Sequence, residues 1–390
     1  MNAEWESLFD GSLTLTATQT ESNALAELPA RRGVLLFTDG DHHPIQLLQT
    51  ANLRGLSRSR LAEVPAETPH RKANLGAITQ KVFYACCDND LQRHFLYQRL
   101  THAVFEKAWK KWIALPRREY AAIDRGRRFP FFQLTTTVEP ARDTDLFGPF
   151  PNRRAAAQFC ESLNTAFQLC RNPALLDSGS PQSCPYRQMQ SCHGLCCQEH
   201  GQADYAMLVE KSVRCAEGHV AEAVADLERQ MKQAAAGLKF EAAQLLKKQT
   251  ELLKGSMRSD FVWTGRLTAL RVLFIDRGPK AAPEGTKKKV QHYQVWRMNI
   301  EGAYLLGMFA EGAAHELQTI LNGENTAATT LPPYPYALSR QEHLTTLGYF
   351  LYRKTRPGLW YNIAASLPNA ETILTDLAAH EKRDVTLPGT

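Results

Sequence analysis

Five cysteines crowd the stretch Cys170–Cys197, spaced as Cys170-x13-Cys184-x7-Cys192-x3-Cys196, with Cys197 directly after. Between Cys170 and His200 there is little apolar periodicity and many turn formers. Such a segment cannot bury enough apolar surface to offset its conformational entropy, so it needs a bound ion or cluster to order it. Thiolates are the usual ligands of a [4Fe–4S] cluster, which takes four of them from a turn-rich loop. Zinc also accepts four thiolates, commonly from two close pairs. Here only Cys192 and Cys196 form a close pair, which favours a cluster over zinc. Cys197 is an alternative to Cys196, because adjacent residues point differently. A set of unligated structural cysteines is the plain alternative. Cys86, Cys87, Cys160 and Cys215 sit alone in apolar contexts and read as buried small hydrophobes.

The remaining chain is ample for two or three domains: 390 residues, 44% hydrophobic and 22% charged, with a net charge of +6. The N-terminal residues are polar and acidic, and no run is apolar enough to span a bilayer. Both features predict a cytoplasmic chain with no membrane partner, and a reducing compartment makes metal binding the first reading of clustered cysteines. Charge is uneven. From Arg93 to Arg128 there are ten lysines and arginines against three acids. Lys107, Lys110, Lys111, Arg117, Arg118, Arg125, Arg127 and Arg128 are therefore candidate DNA-binding residues, a solvated helix face being the bland alternative.

Along the chain, residues 1–30 read as a helical lead-in. Gly33–Phe37 and Pro44–Leu48 read as a hairpin across the Asp39-Gly40-Asp41 turn, and 82–87 as a further strand. Leu91–Trp112 has helical spacing, followed by a basic loop and a strand near Phe129–Thr137. Asn152 is placed to cap a helix through Leu169. Val220–Lys254 is strongly helical, interrupted at Gly237, whose freedom suits the left-handed end of a helix. Strands (261–275, 290–298 and 303–309) and two helices (313–321 and 340–352) complete an α+β chain.

The words around these elements carry a resemblance. Cys184–Cys196 (CPYRQMQSCHGLC) is similar to the CPxYQMGxCxxPC signature of the UvrC excinuclease family, departing from it at His193-Gly194-Leu195 with the spacing intact. Arg128–Thr135 (RFPFFQLT) resembles the family's YPYIKLT strand, and Phe147–Arg154 (FGPFPNRR) its FGPYPN motif. In that family the signature cysteines hold an iron–sulfur cluster that supports DNA binding. The resemblance thus implies a [4Fe–4S] cluster on Cys170, Cys184, Cys192 and Cys196.

The same resemblance implies a GIY-YIG nuclease-like domain at the N-terminus, where Gly33–Phe37 and Gln46–Ser57 match its two motif segments. That chemistry needs tyrosines, an arginine and a metal-binding glutamate. Here the tyrosine positions are Leu35 and Gln46, and the glutamate falls at Gln98. A neutral amide is a poor substitute for a carboxylate on Mg²⁺, so the expectation is a degenerate, inactive nuclease fold. The alternative is an active metal-dependent endonuclease with a rearranged site, using Arg54 or Arg58 and Tyr84 or Tyr97. A zinc-bound structural or RNA-binding module is a third reading. Leu238, Phe240, Glu241 and Ala243 resemble the UVR motif, through which the excinuclease components UvrB and UvrC bind one another, which implies a UvrB-like excinuclease partner. The expected organisation is a degenerate GIY-YIG-like domain (1–150), a cysteine-rich iron–sulfur module (151–219), a UVR-like helical hairpin (220–255) and a C-terminal α+β domain of unassigned role (256–390). In the last, Asp260, Asp276, Glu301, Glu311 and Glu316 are scattered, without the spacing of a paired-metal site.

Overall fold

Among the described residues, three four-stranded antiparallel sheets and the helices between them make a mixed α+β chain. The structure is a computed structural model, and it describes residues 4–15, 24–62, 75–113, 116–139, 141–189, 191–198, 200–255, 261–282, 287–324 and 339–386. Asp260 lies outside the described residues. The chain divides into two compact units, one of residues 1–115, 272–339 and 357–390, the other of 116–271 and 340–356.

In the first unit the strands β1 (Gly11–Thr14), β2 (Gly33–Thr38), β3 (Pro44–Thr50) and β4 (Lys81–Cys86) make a sheet of order β1-β4-β2-β3. The region expected as a helical lead-in contributes β1, which pairs with β4 from Gly11↔Tyr84 to Thr14↔Lys81. Every residue of β2 is buried, because both faces of the sheet are covered. Val34 and Leu36 pack with Leu96 and Leu100 of one helix, while Leu35 and Phe37 pack with Leu53 and Leu61 of another. These are α3 (Asp90–Phe105) and α1 (Leu53–Leu61) respectively, with the short α2 (Leu75–Ile78) between them in sequence. Asn52 caps α1 by accepting the Gly55 N–H, and Asn89 with Gln92 forms a reciprocal capping box at α3.

The C-terminal sheet of this unit follows the order β11-β10-β9-β12, from β9 (Val272–Ala281), β10 (Val290–Met298), β11 (Ala303–Ala310) and β12 (Leu359–Asn362). Leu273, Ile275, Val295 and Phe309 project from one face onto Leu317 of α10 (Ala314–Glu324) and Ile373 of α12 (Ala370–Thr386). Each such buried side chain stabilises by roughly 1.5–3 kcal/mol.

The second unit contains β5 (Tyr120–Asp124), β6 (Phe132–Thr135), β7 (Thr144–Gly148) and β8 (Gly265–Arg266), in the order β6-β5-β7-β8. Against this sheet pack α4 (Arg153–Ala166), α7 (Gly201–Ala216) and the root of a hairpin formed by α8 (Val220–Ala236) and α9 (Phe240–Gly255), in one core that includes Ile123, Phe147, Phe159, Val209 and Leu253. The short helices α5 (Pro173–Asp177) and α6 (Pro185–Gln188) lie in the cysteine-rich loop, and α11 (Arg340–Tyr352) also belongs to this unit. Asn152 caps α4 as its sequence predicts, accepting the Ala155 N–H at 2.9 Å. At the hairpin turn the positive φ (56°) falls on Leu238, whereas Gly237 has φ −84°. The expected glycine C-cap is thus displaced by one residue, onto a side chain that carries the left-handed penalty.

Candidate cysteine-lined site

Helix α4 ends by turning its chain sharply inward. Gln168 adopts φ +52°, Leu169 is completely buried, and Cys170 emerges beside α7. There the Cys170 N–H donates to the Tyr205 hydroxyl at 2.9 Å, and that hydroxyl donates onward to the Pro130 carbonyl at 2.8 Å. Cys184 opens α6 immediately before Pro185, the position where a missing N–H costs least. Arg171 lies over the Tyr186 ring at 4.0 Å and donates to the Ser191 carbonyl at 2.6 Å, clipping the two arms of the loop together. Gly194 takes φ +62°, which brings its N–H to within 3.4 Å of Cys192 Sγ. Gly201 sits where a Cβ would meet the Leu195 carbonyl oxygen at 2.1 Å, so only glycine lets α7 start this close to Cys196.

The result is one small cavity whose walls include Cys170, Cys184, Cys192, Cys196 and Tyr205. Cys197 is not among its lining residues; its sulfur stands 3.8 Å from that of Cys196. Among the described residues no group of three or more histidine, cysteine, aspartate or glutamate side chains is close enough to hold a single metal ion. The four thiols are therefore gathered around one space without being drawn into contact with a common point. Four thiols facing one space are a donor set for a metal centre.

Electrostatics supports the same view. Burial raises the Cys170 thiol, and Cys184 and Cys192 raise it further. Burial pushes Cys196 up to about 12, helped by Cys197, Cys192 and Cys170. Thiols that oppose one another's ionisation favour a strongly cationic group that can neutralise several thiolates together. The donor set, four sulfurs with an N–H aimed at one of them, suits a [4Fe–4S] cluster, whose sulfurs take hydrogen bonds from backbone amides. Four thiolates also suit zinc. The supporting residues Gln168, Arg171 and Tyr205 escape sequence reading, because their roles arise from contacts between distant segments. The one sequence signal, Tyr205 on the apolar stripe of α7, marks core packing equally well.

Three of the four isolated cysteines are buried, as their apolar contexts predict. Cys87, Cys160 and Cys215 are buried, with thiols raised to about 12 by burial; Cys86 is half-buried and raised to about 11.

The other candidate residues are more scattered. Leu35 is fully buried and pairs with Leu48, and Gln46 pairs with Phe37 on the neighbouring strand. Gln98 is buried on α3, which covers the opposite face from Leu35. Lys107, Lys110 and Lys111 are exposed on a 3-10 turn (Glu106–Lys111) in the first unit. The arginines lie in the second unit. Arg117 and Arg128 are exposed, the latter over the Phe129 ring. Arg118 turns inward, donating to the carbonyls of Phe150, Pro151 and Thr345, and burial lowers its pKa. Arg125 is engaged by Asp145 and Glu210, and Arg127 by Asp177. At the hairpin tip Leu238 is 74% and Phe240 67% exposed, with Glu241 exposed and Ala243 half-buried beside them.

Comparison with known proteins finds a family match within the second unit. Residues 120–215 match the family described as UvrC/Cho excinuclease, middle domain. The UvrABC system protein C of Lactobacillus delbrueckii is 27% identical over 247 residues, covering 61% of this chain and 38% of that protein. That of Nitratidesulfovibrio vulgaris is 26% identical over 272 residues, covering 65% and 39%. The excinuclease cho of Escherichia coli (strain K12) is 25% identical over 194 residues, covering 48% and 62%. The chain thus spans well under half the length of the UvrABC system relatives it matches. No solved structure matches it. From Tyr120 through the cysteine loop to Cys215 of α7, this chain is similar to the middle domain of the UvrC/Cho excinucleases.

Proposed function

We propose that this chain is a nucleotide excision repair protein of the cytoplasm that binds DNA and a UvrB-like excinuclease partner, and that cuts no DNA itself. The observation that carries the proposal is the convergence of Cys170, Cys184, Cys192 and Cys196 on one cavity inside the matched middle domain. These four would hold a [4Fe–4S] cluster, which when bound supplies the positive charge that lets the thiols ionise and ties α4, α6 and α7 into one body. Gly194 orients Cys192 through its N–H, and Tyr205 fixes the backbone of Cys170. The DNA-binding side chains are the exposed cations, Lys107, Lys110, Lys111, Arg117 and Arg128; Arg118, Arg125 and Arg127 serve within their own unit.

The hairpin supports the partner assignment. Its root is locked into the core by Leu253, which is fully buried, while its tip presents Leu238 and Phe240 to solvent. Two large exposed apolar side chains at the tip, next to the charge of Glu241, are what an anchor in a partner's pocket needs. The absence of nuclease activity rests on Leu35, Gln46 and Gln98, none of which can donate a proton as a phenol does or hold Mg²⁺ as a carboxylate does. Capture of UvrB by the immobilised full chain, lost on Phe240→Ala, tests the partner. Incubation with a damaged duplex and Mg²⁺ or Mn²⁺ tests the chemistry: no nicking is expected, and metal-dependent nicking by the pure protein would contradict it.

A further inference from the structure

Helix α3 does not end quietly. At Glu106 the backbone adopts φ +40°, a conformation rare for a non-glycine residue, and the chain continues as a tight 3-10 turn to Lys111, capped by Trp112. The change of direction brings four aromatic rings together. Trp112 stacks on Phe105, with ring centroids 4.1 Å apart and planes within 14°. Trp109 lies on His102 at 4.0 Å. Phe105 in turn packs against the core of Val34, Leu36 and Leu100, so the Trp112 ring rests on a rigid support. Trp112 is nevertheless 41% exposed, a large apolar surface for a protein to leave wet.

The charges on this turn are mainly positive, Glu106 standing against Lys107, Lys110 and Lys111. Lys107, Lys110 and Lys111 are exposed, and among the described residues none is within ion-pair distance of a carboxylate. Lys110 Nζ lies 5.7 Å from the Trp109 ring centre. In a 3-10 turn residues three apart eclipse. Trp109 and Trp112 therefore share one edge, and Lys107 and Lys110 the next, at a rise of about 6 Å per turn.

We infer that Trp112 and Trp109, with Lys107, Lys110 and Lys111, form a stacking platform for unpaired nucleobases, so that this turn takes single-stranded nucleic acid in preference to duplex. The inference rests on the proposed DNA binding and refines it. A ring stacked on Phe105 and still 41% exposed offers what an unpaired base lacks once it leaves its own stack, and it accepts any base. In a duplex the base faces are already covered, so only the lysines would be used. The lysines supply the phosphate contacts that an apolar protein-docking patch would not need. A short unpaired region is the kind of DNA in which bases and a free backbone are presented together.

Fluorescence anisotropy of the full-length protein with a labelled oligo(dT) of about 16 nucleotides, and separately with a blunt duplex of random sequence, tests this. Trp112→Ala is expected to weaken oligo(dT) binding at least about fivefold while leaving duplex binding unchanged. Trp112→Phe, which keeps a π face, should restore most of the loss. Replacing the three lysines with alanine should weaken both and reduce the slope of log K against log salt on oligo(dT) by about 2. Wild-type binding to oligo(dT) that is unaffected by Trp112→Ala overturns the platform and leaves DNA binding standing, as does binding to duplex alone. Failure of the wild type to bind either DNA overturns both readings. Unchanged circular dichroism of the variants excludes misfolding as the cause of a loss.

Discussion

The Tyr205 hydroxyl accepts the Cys170 N–H at 2.9 Å and donates to the Pro130 carbonyl at 2.8 Å, so one side chain ties the first cysteine of the loop to both α7 and the segment leading into β6. Tyr205 is almost fully buried, and burial raises its pKa, so it serves as a neutral donor and acceptor at physiological pH. Tyr205→Phe removes the acceptor and leaves the Cys170 N–H without it. Stability of the second unit should fall by about 1–3 kcal/mol, read as a lower denaturant midpoint. If the cysteine loop holds a cluster, iron should also be lost faster to a chelator in this variant than in the wild type.

The hairpin turn sets a local strain against function. Leu238 adopts φ +56° with a side chain that is 74% exposed, so it bears a left-handed penalty without burying anything. Leu238→Gly should therefore stabilise the chain by about 1 kcal/mol, seen as a raised melting temperature. On the proposed partner assignment, the same variant should bind UvrB more weakly than the wild type, since it deletes half of the exposed apolar tip. Phe240→Ala, by contrast, should leave stability nearly unchanged and abolish capture.

Within the first unit, Gln294 of β10 is joined to the N-terminal cap of α3 through a buried polar relay. Its Oε1 accepts from Asn89 Nδ2 at 2.9 Å and from Trp296 Nε1 at 3.2 Å, while its Nε2 donates to Asp88 at 3.0 Å. Removing one member leaves the others short of partners in a dry site. Gln294→Ala should cost about 2–4 kcal/mol through lost hydrogen bonds and a cavity, measured by urea denaturation.

Asp276 links that unit's stability to pH. Burial raises its pKa to about 6, against the lowering effects of the Arg277 N–H, Arg32 and His380, with Asp90 raising it further. A carboxyl whose folded pKa exceeds its unfolded value makes the native state bind the extra proton. Its contribution to stability is complete below about pH 4 and is lost as pH rises through about 6. Asp276→Asn should remove this dependence and stabilise the protein at pH 7–8 by no more than about 3 kcal/mol. Parallel melts of the two proteins from pH 5 to 8 check the sign: the gap should widen with pH.

Residues with periodic or word-like signals were legible in the sequence. Gly33–Thr38 with Pro44–Thr50, Val220–Gly255 and Arg340–Tyr352 follow their apolar spacing. The cysteine spacing announces a gathered set, and the cavity collects those four sulfurs. Tyr120–Asp124 was hidden within a run of basic residues, because a short strand buried on both faces has no alternation to betray it. The same applies to Leu359–Asn362, an edge strand defined only by its pairing with β9. The inward turn of Arg118 is likewise invisible in sequence, where a cation next to other cations reads as surface. Whether a charge faces water or three carbonyls is decided by segments far along the chain, such as Thr345.

The proposed [4Fe–4S] cluster on Cys170, Cys184, Cys192 and Cys196 has a direct test. Iron, acid-labile sulfide and zinc should be measured together on anaerobically purified full-length protein, with the ultraviolet–visible spectrum recorded in parallel. The account predicts about four irons and four sulfides per chain, broad absorption bands that bleach on reduction, and loss of both elements on Cys192→Ser. Stoichiometric zinc without sulfide, or a protein with neither metal whose stability is unaffected by Cys192→Ser, would contradict it.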